Sequence, residues 1–171
     1  MESSLRISSL RIRRATEADV PLILAFIRKI AEYEKLSHAV VATEDTLRAS
    51  LFGPRPAAEV LLAYWDGSPA GYALFFENFS TFQGRPGMYL EDLFVDLELR
   101  GKGIGKALLK AVAKVAQERN CSRLEWSVLD WNTPAIEFYK SLGAKPLDEW
   151  TTFRMTAEAI EKLASTGEPP P

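Results

Sequence analysis

Between positions 100 and 106 the chain reads Arg100-Gly101-Lys102-Gly103-Ile104-Gly105-Lys106, the segment whose residue types and spacing point most directly to chemistry. Alternate glycines let a backbone come close to an anion, and a helix starting at the loop adds unpaired N–H groups and the positive end of its dipole. Together they make a cradle for a pyrophosphate. The segment is not a dinucleotide fingerprint, because Lys106 stands where the third glycine belongs. It is not a Walker loop either, since Arg100 replaces the first glycine and Ala107 the Ser or Thr after the lysine. The remaining pattern is Arg-x-x-Gly-x-Gly, with Lys102 and Lys106 at its mouth as candidate phosphate partners. Lys110 and Lys114 continue the spacing of Lys106 opposite Leu108, Val112 and Val115, and read as a solvated helix face.

The rest of the inventory excludes more than it offers. One cysteine, Cys121, and one histidine, His38, are too few for a structural zinc site, a Cys-x-x-Cys redox pair or a Cys-His dyad. No Gly-x-Ser-x-Gly elbow accompanies His38. No metal is expected. A lone cysteine also excludes an internal disulfide and fits a reducing, cytoplasmic compartment.

The elements that must position the loop alternate along the chain. Thr16 and Asp19 open a helix whose Val20, Ile23, Leu24, Ile27 and Ile30 recur at helical spacing up to about Glu34. Thr43 starts a shorter helix that Gly53 ends. Apolar runs at 60–65 and 71–76 flank Asp66-Gly67-Ser68-Pro69 and predict a hairpin. With Leu10-Arg11-Ile12-Arg13 alternating like an edge strand at the start, a fourth strand is expected at 88–96, then the glycine loop, a helix over 106–119 and a strand at 123–129. A helix over 134–142 stopped by Gly143, a last strand near 151–155 and a short helix beyond Thr156 complete the order. Strands alternating with helices predict an α/β (α+β) fold, a central mixed sheet with helices on both faces.

Composition bounds the answer. The 171 residues, 47% apolar and 26% charged, suit one soluble domain, expected over residues 10–164. Residues 1–9 read as an N-terminal extension in which Ser3-Ser4-Leu5-Arg6-Ile7 is repeated from Ser8 to Ile12, and residues 165–171 as a loose Pro-rich tail. A net charge of -2 gives no overall pull toward nucleic acid or an anionic membrane, and no apolar run approaches the ~20 residues of a membrane span.

The order of elements and the loop resemble the GNAT superfamily of acetyl-CoA-dependent N-acetyltransferases, from about Ile12 to Met155. Four stretches sharpen the likeness: Ile30-Ala31-Glu32-Tyr33-Glu34-Lys35-Leu36-Ser37, Phe79-Ser80-Thr81-Phe82-Gln83-Gly84-Arg85, Tyr89-Leu90-Glu91-Asp92-Leu93-Phe94-Val95, and Val128-Leu129-Asp130-Trp131-Asn132 with Phe138-Tyr139-Lys140. These resemble the diamine (spermidine/spermine) branch, and within it the thialysine acetyltransferases. Polyamine-using relatives carry an acidic residue at about Ser80, absent here. The resemblance implies a mostly antiparallel, twisted sheet, splayed at its fourth strand. Acetyl-CoA is the implied acetyl donor, held by Leu93, Phe94 and Val95 on that strand, by Arg100, Gly101, Lys102, Gly103, Ile104, Gly105 and Lys106 in the loop, and by Asn132, Thr133, Pro134, Ala135, Tyr139 and Leu142. Asn132 also stands where a residue could cap the following helix.

It further implies that Tyr139 is the general acid; Glu91, next to Asp92 on the central strand, is the candidate base for the amine's proton. A phenol with pKa ~10 is a donor at neutral pH, suited to protonating a thiolate of pKa ~8.5, whereas a carboxylate of pKa ~4.3 needs a raised pKa or a water relay to act as base. Tyr33, Glu34, Glu91, Glu125, Trp126, Ser127 and Glu149 map onto amine contacts, and acidic and aromatic groups suit an ammonium. The expected function is acetylation of a primary amine of a small molecule, lysine-like or a diamine, by direct attack in a ternary complex, with a homodimer implied. Two alternatives stay open: a protein or peptide N-acetyltransferase, and a coenzyme A-binding module without turnover.

Overall fold

The computed structural model describes residues 9–165. Residues 1–8, with the first copy of the N-terminal repeat, and residues 166–171, with the Pro-rich tail, lie outside it. The chain divides into two compact units, one ending at Leu129 and one beginning at Asp130.

The first unit is built on a five-stranded sheet in the order β1-β2-β3-β4-β5. Strands β1 (Leu10–Arg14), β2 (Glu59–Trp65), β3 (Ser68–Ser80) and β4 (Arg85–Val95) pair antiparallel in sequence order, and β5 (Leu124–Trp126) joins β4 in parallel. Asp66 and Gly67, both at positive φ (49° and 84°), make the β2–β3 turn, the backbone that a tight hairpin following the twist of its strands requires. Ser68 and Pro69 already belong to β3, so the turn is shorter than the sequence suggests.

Helices α1 (Val20–Tyr33) and α2 (Glu44–Phe52) precede β2. Thr16 and Asp19 tie a single 3-10 turn ahead of α1, the Thr16 N–H and hydroxyl both donating to the Asp19 carboxylate at 2.7 and 3.0 Å. Asp19 is also gripped by Arg13 from β1 through two 2.7 Å bonds, which hold its carboxyl well below the ordinary range. Ile23 and Phe26 of α1 and Leu51 of α2 pack with Val60, Leu62, Tyr72 and Phe94 of the sheet, and the Phe26 and Tyr72 rings stack with centroids 5.4 Å apart. Each such buried side chain contributes roughly 1.5–3 kcal/mol.

Helix α3 (Ile104–Glu118) packs against β3 and β4. Its Leu108, Val112 and Val115 are buried while Lys106, Lys110 and Lys114 are exposed, as the spacing predicts.

In the second unit, α4 (Thr133–Ser141) ends before Gly143, whose φ is 89°, and α5 (Ala157–Ser165) follows. The strand expected at 151–155 does not form. Those residues carry no secondary structure and are exposed, Phe153 to 91%. An alternating pattern cannot make a strand without an edge to supply hydrogen-bond partners. Strand β5 is likewise shorter than expected, stopping at Trp126, because its partner diverges there.

Candidate active site

The divergence is a bulge. Phe75 of β3 stands opposite Leu90 and Leu74 opposite Asp92, so Glu91 is the extra residue. An inserted residue reverses the alternation of everything after it. Unbulged, Asp92 would share a face with Leu90; instead it shares one with Tyr72 and Phe94, the face covered by α1. Glu91 occupies the switch itself and is exposed. β5 pairs with β4 only over Met88, Tyr89 and Leu90, so among the described residues no strand covers the β5 side of β4 at Leu93, Phe94 and Val95. This is the splay that the resemblance implies.

Beneath the bulge lies a group that sequence reasoning did not assign. The Tyr72 hydroxyl donates to Asp92 Oδ2 at 2.6 Å. Burial pushes the Asp92 carboxyl up, and the Tyr72 bond pulls it partly back. Glu34, just past the end of α1, is pushed up by burial and then by the charge of Asp92. The Tyr72 phenol is held well above its usual value, first by burial and then by Asp92, with Glu34 and Glu91 adding to it, so it stays a donor. Burial disfavours the charge of both carboxylates, and Asp92 further disfavours that of Glu34, so a cation near them would relieve both. The legible signal was the pair Glu91-Asp92 inside an otherwise apolar strand: adjacent residues on a regular strand face opposite sides, and one of the two carboxylates had to meet the core.

The glycine loop follows β4 through a 3-10 turn at Leu97–Leu99. Gly101 and Gly103 have φ of 76° and 80°, and a Cβ on either would meet nothing within 4 Å. Gly103 is the N-cap of α3 and provides no side-chain cap, which leaves the first-turn N–H groups to an outside acceptor. Ile104 between the glycines is buried and anchors the turn. The side chains flanking the loop reach elsewhere: the Lys102 ammonium lies 5.5 Å from the Trp65 ring centroid, and the Arg100 guanidinium 4.2 Å from that of Tyr33.

The remaining positions are dispersed. Glu125 Oε2 pairs with Arg123 Nε at 3.0 Å, Ser127 Oγ lies 2.8 Å from the Tyr89 hydroxyl, and Trp126 is half-buried on β5. In the second unit, Tyr139 is half-buried on α4 with its ring tilted against Phe138, centroids 5.3 Å apart. Thr133, Pro134 and Ala135 form the first turn of α4, and Leu142 follows its end. Asn132 occupies the N-cap position and is buried, but its side chain makes no capping bond. Glu149 is exposed in a turn. A separate hollow of about 500 Å³ lies near the far end of α3, where its Arg14, Glu59, Glu77 and Arg119 neutralise one another.

The sequence profile of the Acetyltransferase (GNAT) family matches residues 27–144. Over 90% of its length the chain is 46% identical to thialysine N-epsilon-acetyltransferase of Bos taurus, covering 96% of that protein. The chain belongs to the GNAT acetyltransferase family. It is also 34% identical to an L-ornithine N5-acetyltransferase of Arabidopsis thaliana, over 90% of this chain and 87% of that one. An integron cassette protein from the mobile metagenome of V. cholerae has the same fold, with a TM-score of 0.77 at 31% identity over 92% of this chain and 99% of that one. As a GNAT protein it is an acetyl-CoA-dependent N-acetyltransferase. The residues fit that donor: the open space above Gly101 and Gly103 and the uncapped start of α3 suit its pyrophosphate, and the uncovered β4 edge suits its amide-bearing arm.

Proposed function

We propose that the protein acetylates the side-chain amine of a small lysine-like amino acid, such as thialysine or ornithine, by direct attack on acetyl-CoA. The observation that carries this reading is the bulge at Glu91, which turns Asp92 toward α1 and Glu34 and makes an acidic seat for an ammonium beside an uncovered strand edge. The relatives named for thialysine and ornithine support the same substrate class.

The chemistry follows from proton bookkeeping. A primary amine of pKa ~10.4 is about one part in 10³ free base at pH 7, a handicap of roughly 4–5 kcal/mol. Glu91, exposed on the bulge, takes the proton directly or through water. Asp92 and Glu34 hold the amine's positive charge until that step. An N–H of the uncovered β4 edge polarises the thioester carbonyl. Tyr139 returns a proton to the departing thiolate.

A homodimer in the cytoplasm belongs to the same proposal. The exposed Trp150, Phe153, Ile160 and Leu163 of the second unit offer apolar surface to a second copy, and the lone Cys121 suits a reducing compartment. No helix among the described residues is long and apolar enough to cross a membrane.

An amine panel assayed with acetyl-CoA by release of free thiol tests the reading. Thialysine, lysine and ornithine should exceed spermidine in kcat/KM. Preference for spermidine would remove the substrate class and leave the acetyltransferase, whereas peptide N-termini alone as acceptors would overturn the small-molecule reading.

A further inference from the structure

One side chain joins the donor loop to the end of α1. The Arg100 guanidinium lies 4.2 Å from the centroid of Tyr33 and 6.0 Å from that of Phe94, and Arg100 Nε donates to the Val95 carbonyl at 3.3 Å. Arg100 immediately precedes Gly101, where the loop enters positive φ. Tyr33 is the last residue of α1 and immediately precedes Glu34. A guanidinium this close to an aromatic ring is held by the ring quadrupole and by contact.

We propose that Arg100 is a positioning residue that couples acetyl-CoA binding to amine binding, its stack on Tyr33 making the glycine loop and the Glu34 end of α1 settle together. The proposal rests on the functional reading above, which gives the loop to acetyl-CoA and Glu34 to the amine. With its Nε on Val95 and its charge over Tyr33, Arg100 acts on the donor through the loop backbone. Such coupling is reciprocal: what orders the loop orders Tyr33 and Glu34, and an amine seated at Glu34 steadies the loop by the same factor. A second tether, Lys29 of α1 paired with Asp96 at 2.7 Å, also joins α1 to the segment that follows β4.

The test is a double-mutant cycle on Arg100→Met and Tyr33→Leu with two readouts, the Kd of coenzyme A by calorimetry without amine and the KM of thialysine at saturating acetyl-CoA. Each single variant should weaken both by about 3- to 10-fold, the range for losing one cation–π contact. The double variant should be no worse than the weaker single, because both remove the same contact. Tyr33→Phe keeps the aromatic face and should keep the Kd of coenzyme A near the parent value. Arg100→Met that changes the Kd of coenzyme A but not the KM of the amine would make Arg100 a phosphate contact and overturn the coupling, as would additive losses. Lowered melting temperatures in both single variants with Kd and KM unchanged would also overturn it. Failure of the underlying reading shows separately: were the loop not the donor site, Gly105→Ala would leave coenzyme A binding unchanged.

Discussion

Gly105→Ala separates a glycine kept for the fold from one kept for a ligand. Gly105 lies in the first turn of α3 outside the positive-φ region, and an added Cβ would have Val95 Cγ2 as its nearest neighbour at 3.7 Å, ordinary contact distance. Alanine therefore fits, and it favours a helix over glycine by up to about 1 kcal/mol. For a chain of this size that raises Tm by up to roughly 2–4 °C. Gly103→Ala is the contrasting control. At φ 80° a side chain costs about 1–2 kcal/mol of backbone strain, or roughly 2–8 °C in Tm, although its Cβ meets nothing. In the complex the order reverses in meaning: the Gly105 methyl stands on the first turn of α3, whose N–H groups are assigned to the donor's pyrophosphate. It should raise the Kd of acetyl-CoA by tenfold or more, equivalent to ~1.4 kcal/mol. Thermal melts without ligand and calorimetric titration with acetyl-CoA read the two effects separately. A Gly105→Ala protein at least as stable as the parent that binds acetyl-CoA equally well would refute the cradle at that position. A Tm loss as large as that of Gly103→Ala would refute the packing argument.

Three other substitutions probe the acceptor side and the proton path. Asp92→Asn can still accept the Tyr72 bond but carries no charge. Because burial raises the folded-state pKa of Asp92, its stability penalty grows as pH rises through that value, so the variant should be more stable at pH 7 by about 1 kcal/mol and melt higher. The gain should fade toward pH ~4, where the unfolded carboxyl protonates too; amine KM should rise where Asp92 is ionised and return to the parent value where it is protonated, and a Tm gain independent of pH would refute the buried-charge argument. Tyr139→Phe keeps the ring and should lower kcat by roughly 10² or more with acetyl-CoA still bound; unchanged turnover would return Tyr139 to packing alone. Glu91→Gln should lose most activity at low pH, where free amine is scarce, and recover as pH approaches the amine's own pKa of ~10.4. A defect constant across pH would make Glu91 a positioning charge.

Local features were legible without coordinates because local physics decides them. Positive φ at Gly101 and Gly103, the Asp66-Gly67 turn, the buried stripe of α3 opposite its lysines and the stop at Gly143 follow from residues within a turn or two of one another. The family likeness extended that reach to the antiparallel order and the splay. Other features depended on partners distant in sequence. Whether Asp92 faces α1 or α3 depends on one extra residue in the register between β3 and β4, which no pattern within β4 can count. Arg100, in the loop that the resemblance gives to acetyl-CoA, also lies over the ring of Tyr33 on another element, a contact no local pattern contains. The alternating segment at 151–155 carries a strand's pattern but is not a strand, because pattern sets which side a residue prefers, while a ladder needs a second chain segment within hydrogen-bonding distance. The sequence by itself therefore determined the backbone of the donor loop, where a glycine's lack of Cβ suffices. Only the tertiary structure decided the acidic seat of Tyr72, Asp92 and Glu34, because its energetics rest on burial and on charges brought together from three separate elements.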